Sequence, residues 1–198
     1  MRAKGIDREV FLSDGLEVAP LLLNLLLVAE GVAGRIIEVE AYLGQADAAS
    51  HAYRGPTARN ATMFGPPGHL YVYLSYGVHH CANVVCAPGG VASAVLLRAL
   101  WPVDGLEAMR ARRPGARRDA ELCAGPGRLC AALGIDRRLD GADLVSGSGG
   151  VQLLSDGVPP PEKPLTGPRV GISARGGEAA SWPWRFAVPG AAGLSRPI

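Results

Sequence analysis

A chain of 198 residues, 48% of them hydrophobic and 19% charged, is long enough to bury a core without disulfides or a structural metal, and its composition is that of a folded protein. No run approaches the roughly 18 apolar residues a membrane span requires. The apolar "LLLNLLLVA" (21–29) follows an acidic stretch, not the basic start of a signal peptide. The expectation is one cytoplasmic domain over 1–198, with no membrane partner.

The four cysteines, Cys81, Cys86, Cys123 and Cys130, have spacings that fit neither a CxxC zinc site nor a disulfide scaffold, and read as buried thiols. A net charge of +2 is too small to argue for nucleic acid by itself. The positive charge is carried almost wholly by Arg, with Lys only at 4 and 163. Arg suits bidentate phosphate contacts, although a GC-rich coding bias gives the same composition.

In chain order, "DGLEVAPLLL" (14–23) predicts a short helix ending at Asn24, a residue type that tolerates the left-handed conformation. "LLLVA", the turn Glu30-Gly31 and "VAGRIIEVEAYLG" predict a hairpin. Strict alternation in its second strand puts Ile37, Val39, Ala41 and Leu43 on one face, and Ile36, Glu38, Glu40 and Tyr42 on the other. Residues 44–68 form a long polar loop holding His51, Tyr53, Arg54, Arg59 and Asn60, long enough to be functional or mobile.

"HLYVYLSYGVHHCANVV" (69–85) then gathers three of the five Tyr and three of the four His. Tyr76-Gly77 is the natural turn between its two strands. Packing accounts for Tyr71 or Tyr73, but a ring at a hairpin tip has no core to fill. "ASAVLLRALWP" (92–102) predicts a strand ended by Pro102, "GLEAMRARR" an Arg-rich helix, and "GPGRLCAALGI" (125–135) a helix opening on Pro126 and Gly127. Free N–H groups at that start, beside Arg128, fit either ordinary capping or phosphate contact. Loops with one or two short strands fill 141–168, and "PRVGIS" and "WRFAV" read as closing strands.

Six blocks, "RIIEVEAYLG", "SHAYRGPTARNATMF", "GHLYVYLSYGVHHCANVV", "AVLLRAL", "ELCAGPGRLCAALGID" and "PRVGIS", occur in the order and rough spacing of the alkyladenine (3-methyladenine) DNA glycosylase family, which the chain resembles from about residue 10 to 190. The resemblance implies an α+β fold with a curved, mostly antiparallel, open-barrel-like sheet, peripheral helices and a protruding hairpin. It also implies an enzyme that flips a damaged purine from duplex DNA and hydrolyses its N-glycosidic bond.

By the same resemblance, Glu40 matches the catalytic carboxylate that activates a water, and Arg98 a motif Arg that positions the water or the sugar-phosphate. Tyr42, Tyr73 and His51 match the base pocket, and Asn83 a residue that clashes with the guanine amino group. Tyr76 matches the side chain that enters the minor groove. Glu38 is read as structural. Two departures are visible: Asn24 stands where Gly is usual, and His79 and His80 where aromatics vary.

Arg54, Arg59, Arg128 and Arg169 are the expected phosphate contacts, the partner is double-stranded DNA carrying a damaged purine, the protein acts as a monomer, and no cofactor or metal is called for. Because strand-cleaving glycosylases use an amine and both lysines lie outside every motif, the activity is expected to be monofunctional. Two rivals remain: a metal hydrolase using His51, His69, His79 and His80, which lacks ligand spacing, and a non-catalytic nucleic-acid-binding module that stacks bases on its aromatics.

Overall fold

The computed structural model describes residues 3–172 and 174–198. Strands β1 (Lys4–Gly5), β2 (Leu26–Ala29), β3 (Val32–Leu43), β4 (Leu70–Ser75), β5 (His79–Cys86), β6 (Ser93–Asp104), β7 (Val151–Ser155), β8 (Leu165–Gly167) and β9 (Arg185–Ala187) form one sheet. Its main path runs β1-β7-β2-β3-β6-β5-β4, with β9 paired to β3 and β8 to β9, and every pairing is antiparallel. The sheet is not closed, and with helices α1 (Gly15–Leu22), α2 (Leu106–Arg112), α3 (Asp119–Leu122) and α4 (Pro126–Leu133) the fold is the expected α+β. Among the described residues no helix is long and apolar enough to cross a membrane.

Local chemistry sets the elements. Asp14 caps α1 by accepting from the Leu16 and Glu17 N–H groups at 2.8 and 3.2 Å. Val18, Ala19 and Leu22 on one side of the helix then enter the core. Asn24 has φ +70° and Glu30-Gly31 have φ +50° and +75°, so the helix stop and the β2–β3 turn are both made by left-handed residues, as expected. All four cysteines are free and buried.

The pairing of β3 with β6 is the longest in the sheet and its register shifts between Ala33 and Gly34 and around Ile36–Val39. Bulges of this kind bend a strand and re-aim its side chains. Strict alternation therefore fails at one point. Ile36 joins Val39 and Ala41 in the main core, whereas alternation assigns it to the carboxylate face. Beyond the bulge the expected order holds, and Glu38, Glu40 and Tyr42 lie opposite that core. Alongside them in the sheet runs β9, whose Arg185–Ala187 pairs with Glu38–Glu40.

Two other expectations are corrected. Pro102 does not end its strand; β6 continues to Asp104 because Pro102 sits opposite Gly34, beside a register shift where no regular ladder donor is needed. In "PRVGIS", residues 168–172 are not a strand, and Ser173 lies outside the described residues. The strand there is β8, just before it, and the following segment spends its polar groups on side chains of the site. The 44–68 loop is organised by short 3-10 turns at Gly44–Ala46 and Ala61–Phe64, and by Asn60, which donates to the carbonyls of His51 (2.9 Å) and Gly55 (3.1 Å). A second apolar cluster of Ala52, Met63, Tyr71, Val85, Ala92 and Ala94 lies where this loop meets β4, β5 and β6.

Candidate active site

On the face of β3 opposite the main core, Glu40 is fully buried. Its Oε1 accepts from the Val170 N–H at 2.6 Å and faces Arg98 Nη1 at 3.3 Å, while Oε2 accepts from the Tyr42 hydroxyl at 2.9 Å. Burial pushes the Glu40 carboxyl above its ordinary value, and the Arg98 charge and the two hydrogen bonds hold back part of that rise. The result is a carboxylate more basic than usual, ringed by groups that favour its ionised form. Burial also raises the Tyr42 phenol well above its usual range, reinforced by the neighbouring Glu40, so it stays a donor.

Glu38 is buried too but has different neighbours. Oε1 receives Arg98 Nε at 3.0 Å, Arg185 Nη1 at 3.3 Å and the Ser195 hydroxyl at 2.7 Å, and Oε2 receives the Ser195 N–H at 2.5 Å. Its lone pairs are committed to holding Arg98 and the chain end.

Glu40 lies behind Tyr42, Arg98 and Val170, its three partners, which with His51, Tyr71, Tyr73 and Asn83 line a cavity of about 730 Å³ that Tyr76 borders. This volume suits one flat heterocycle and its sugar. Tyr71 and Tyr73 are stacked at 5.6 Å, and His51 meets Tyr73 edge-on at 4.4 Å. Burial, with Arg59 nearby, lowers the His51 pKa, so the ring is neutral at pH 7 and can present either a donor or an acceptor. Burial pushes the Tyr71 phenol to about 12. Asn83 is buried and donates to the Tyr71 carbonyl at 3.1 Å, which fixes its amide at the wall.

Tyr76 is 94% exposed at the tip of the β4–β5 hairpin. Tyr76 and Gly77 have φ +50° and +71° in a turn closed by the Val78 N–H donating to Ser75 at 3.0 Å. A bulky L residue is strained in that conformation, and nothing in the core compensates. Arg59 reaches across from the loop to the Leu74 carbonyl at 2.9 Å and borders the same cavity mouth. Arg54 and Arg128 are exposed as well, Arg128 with one bond to the Ala124 carbonyl in its own segment.

Arg169, grouped above with the phosphate contacts, is elsewhere. Its side chain is fully buried, forms a two-pronged ion pair with Asp47 at 2.5 and 2.9 Å, and donates to the Ala41 and Ala179 carbonyls. Its guanidinium lies 4.5 Å from the Tyr42 ring centre and 5.0 Å from that of Trp184. A cation committed in this way is a strut behind the cavity wall, not a phosphate contact. The sequence reading missed Asp47, the Val170 N–H and Ser195. Each reaches the site from 97 or more residues away along the chain, or through the backbone, and has no local signal.

The histidines do not converge. His51 lines the cavity, His69 sits by Arg8 and the Pro67 carbonyl, and His79 packs near Gly127. Among the described residues no three His, Cys, Asp or Glu side chains are placed to hold a metal ion.

A family profile described as methylpurine-DNA glycosylase (MPG) matches residues 9–192. A protein of Burkholderia lata named "Putative 3-methyladenine DNA glycosylase" is 53% identical over 183 residues, covering 92% of this chain and 86% of its own. Relatives of the same name from Streptomyces avermitilis (52% over 186 residues, 91% and 86% covered) and Nitrosospira multiformis (46% over 188, 95% and 92%) align equally broadly. The chain belongs to the methylpurine-DNA glycosylase family, hydrolases acting on the N-glycosyl bonds of DNA.

Proposed function

We propose that this DNA glycosylase is a monofunctional, monomeric enzyme that turns alkylated or deaminated purines, of the 3-methyladenine and hypoxanthine class, out of duplex DNA and hydrolyses the bond from base to sugar. The observation that carries this reading is the buried Glu40 carboxylate held by Tyr42, Arg98 and Val170, three residues that line an aromatic cavity bordered by the exposed Tyr76. A purine inside the stack offers no access to its C1′, so the nucleotide must leave it. Tyr76 fits the gap that would remain, offsetting part of the unstacking cost of a few kcal/mol.

In the cavity the extruded base lies between Tyr42 on one side and Tyr73 and His51 on the other, where electron-rich ring faces favour a cationic alkylated purine. Asn83 leaves no room for the amino group of normal guanine. As the glycosidic bond breaks, its electron pair leaves with the base, which for 3-methyladenine becomes neutral, and C1′ gains oxocarbenium character. Water adds at C1′ and passes its proton to Glu40. Among the described residues Oε2 has one partner, Tyr42, and so keeps acceptor capacity for that water. The negative charge of Glu40 stabilises the cationic sugar, and Arg98 holds Glu40 in place. Hypoxanthine leaves as a poorer, neutral base and needs a proton that 3-methyladenine does not.

Arg54, Arg59 and Arg128 are exposed for phosphate contact. Lys4 and Lys163 are not among the residues that line the cavity, which supports release of base without strand cleavage. The test incubates the protein with two labelled duplexes, one with a central hypoxanthine and one with methylated purines. Free base, an alkali-labile but intact strand and no borohydride-trapped adduct are expected. Binding of both duplexes with no base released would favour the stacking module, and a trapped adduct would overturn the monofunctional assignment.

A further inference from the structure

The chain end approaches the same carboxylates. After β9 the backbone turns back, and Arg185 clasps it by donating to the Arg196 carbonyl at 3.2 Å and the Pro197 carbonyl at 2.9 Å. Ile198 packs over Gly167. This places Ser195 between Glu38 and Arg98. Its hydroxyl has one proton and two lone pairs, and all are used: it donates to Glu38 Oε1 at 2.7 Å and accepts from Arg98 Nε at 3.1 Å and Nη2 at 2.7 Å. The Ser195 N–H takes the second Glu38 oxygen. The family match ends at residue 192, short of this contact.

We infer that the C-terminal tail completes the catalytic network, with Ser195 a positioning residue that orients Arg98 toward Glu40; this rests on the assignment of Glu40 above. Arg98 is only 5% exposed, and its Nε and Nη2 donors are met by protein. With Nε and Nη2 occupied by Glu38 and Ser195, the planar fork directs Nη1 at Glu40. Glu38 would otherwise compete for the guanidinium. Saturating Glu38 with the Ser195 hydroxyl and N–H and with Arg185 leaves the Nη1 arm free for Glu40. Alanine at 195 removes the acceptor that Nη2 now uses, and the guanidinium turns toward the Glu38 carboxylate. The charged or titratable groups facing Glu40 are Arg98, Tyr42 and Glu38. Losing the first removes the largest influence favouring an ionised Glu40 and leaves only the Val170 and Tyr42 hydrogen bonds to oppose burial and Glu38.

The test compares wild type, Ser195→Ala, Ser195→Thr and Glu40→Gln in single-turnover base release across pH, with thermal unfolding of each. For Ser195→Ala we expect release to slow by roughly tenfold or more, the scale of one lost hydrogen bond to a charged group, and the acid limb of the rate to move to higher pH. Ser195→Thr, which keeps the hydroxyl, restores both. A lowered Tm with an unchanged rate and acid limb would make the tail merely structural and overturn the inference. If Ser195→Ala does not fold, Ser195→Cys, of similar bulk but weaker bonding, decides: a slowed rate with a shifted limb supports the role, and a wild-type profile overturns it. A Glu40→Gln variant as active as wild type would instead remove the assignment on which the inference stands.

Discussion

Replacing Asp47 by Asn removes one charge from a pair in which both side chains have zero exposure. The Asn amide sets an N–H donor against the Arg169 N–H groups where a carboxylate oxygen now accepts, and Arg169 becomes a buried cation without a counter-ion. Breaking such a pair from one side costs about 3–5 kcal/mol. The lower part applies here, since Arg169 keeps the Ala41 and Ala179 carbonyls and the faces of Tyr42 and Trp184. Against a total stability of roughly 5–15 kcal/mol, a loss of about 3 kcal/mol is large. For a chain of this size it lowers Tm by roughly 6–12 °C. Urea unfolding should show a lower midpoint with unchanged slope. The double variant Asp47→Asn, Arg169→Met removes the stranded charge and should recover about 2 kcal/mol relative to the sum of the single variants. A Tm within about 2 °C of wild type for Asp47→Asn would refute the view that this pair fastens the cavity wall.

Tyr76→Ala should leave stability within about 0.5 kcal/mol of wild type or slightly raise it, because the ring is almost wholly exposed on a left-handed backbone. It should weaken binding to lesion duplex at least tenfold, and equal affinity by anisotropy would argue against the wedge. Base release should fall on the acid side through a pKa above the ordinary carboxylate value of 4.5, since burial raises Glu40 and only its ionised form takes the proton from water. The same shift favours the neutral form in the folded state, so the Glu40 contribution to stability declines as pH rises from 4.5 through its folded pKa. Asp156 runs the other way: Arg35 holds it down to about 2, so its contribution is present above 3.8 and is lost as pH falls from there to about 2. Titrating Cm against pH separates the two. Gly127→Ala sets a Cβ 2.8 Å from that of His79, where α4 meets the hairpin, and should cost about 1–3 kcal/mol by overpacking; no change in Cm would show that α4 can shift away.

Much of the fold is legible because it is made by local chemistry. Asn24, Glu30-Gly31 and Tyr76-Gly77 each announce a helix end or a turn, and the two hairpins follow from them. The departures occur where distant partners overrule local preference. The bulge that moves Ile36 into the core answers the register of β6, some 60 residues on. Residues 168–172 leave the sheet because the Val170 N–H and the Arg169 side chain are taken by Glu40 and Asp47. The same limit governs the site. Glu40, Tyr42, His51, Tyr73, Asn83 and Tyr76 lie in blocks whose resemblance can be read from sequence, and Tyr76 is also marked by its turn. Arg169 shows the failure most plainly: an Arg in an expected strand reads as a phosphate contact, and only the fold reveals the buried Asp47 that claims it.

The most direct test of Glu40 as the general base is single-turnover release of a methylated purine by wild type and by Glu40→Gln on the same labelled duplex, with binding measured in parallel. Gln keeps the shape and an acceptor oxygen but cannot take the proton. The account predicts that release falls by a factor on the order of 100 or more while lesion binding is retained. A Gln variant that releases base at the wild-type rate would place the proton acceptor elsewhere.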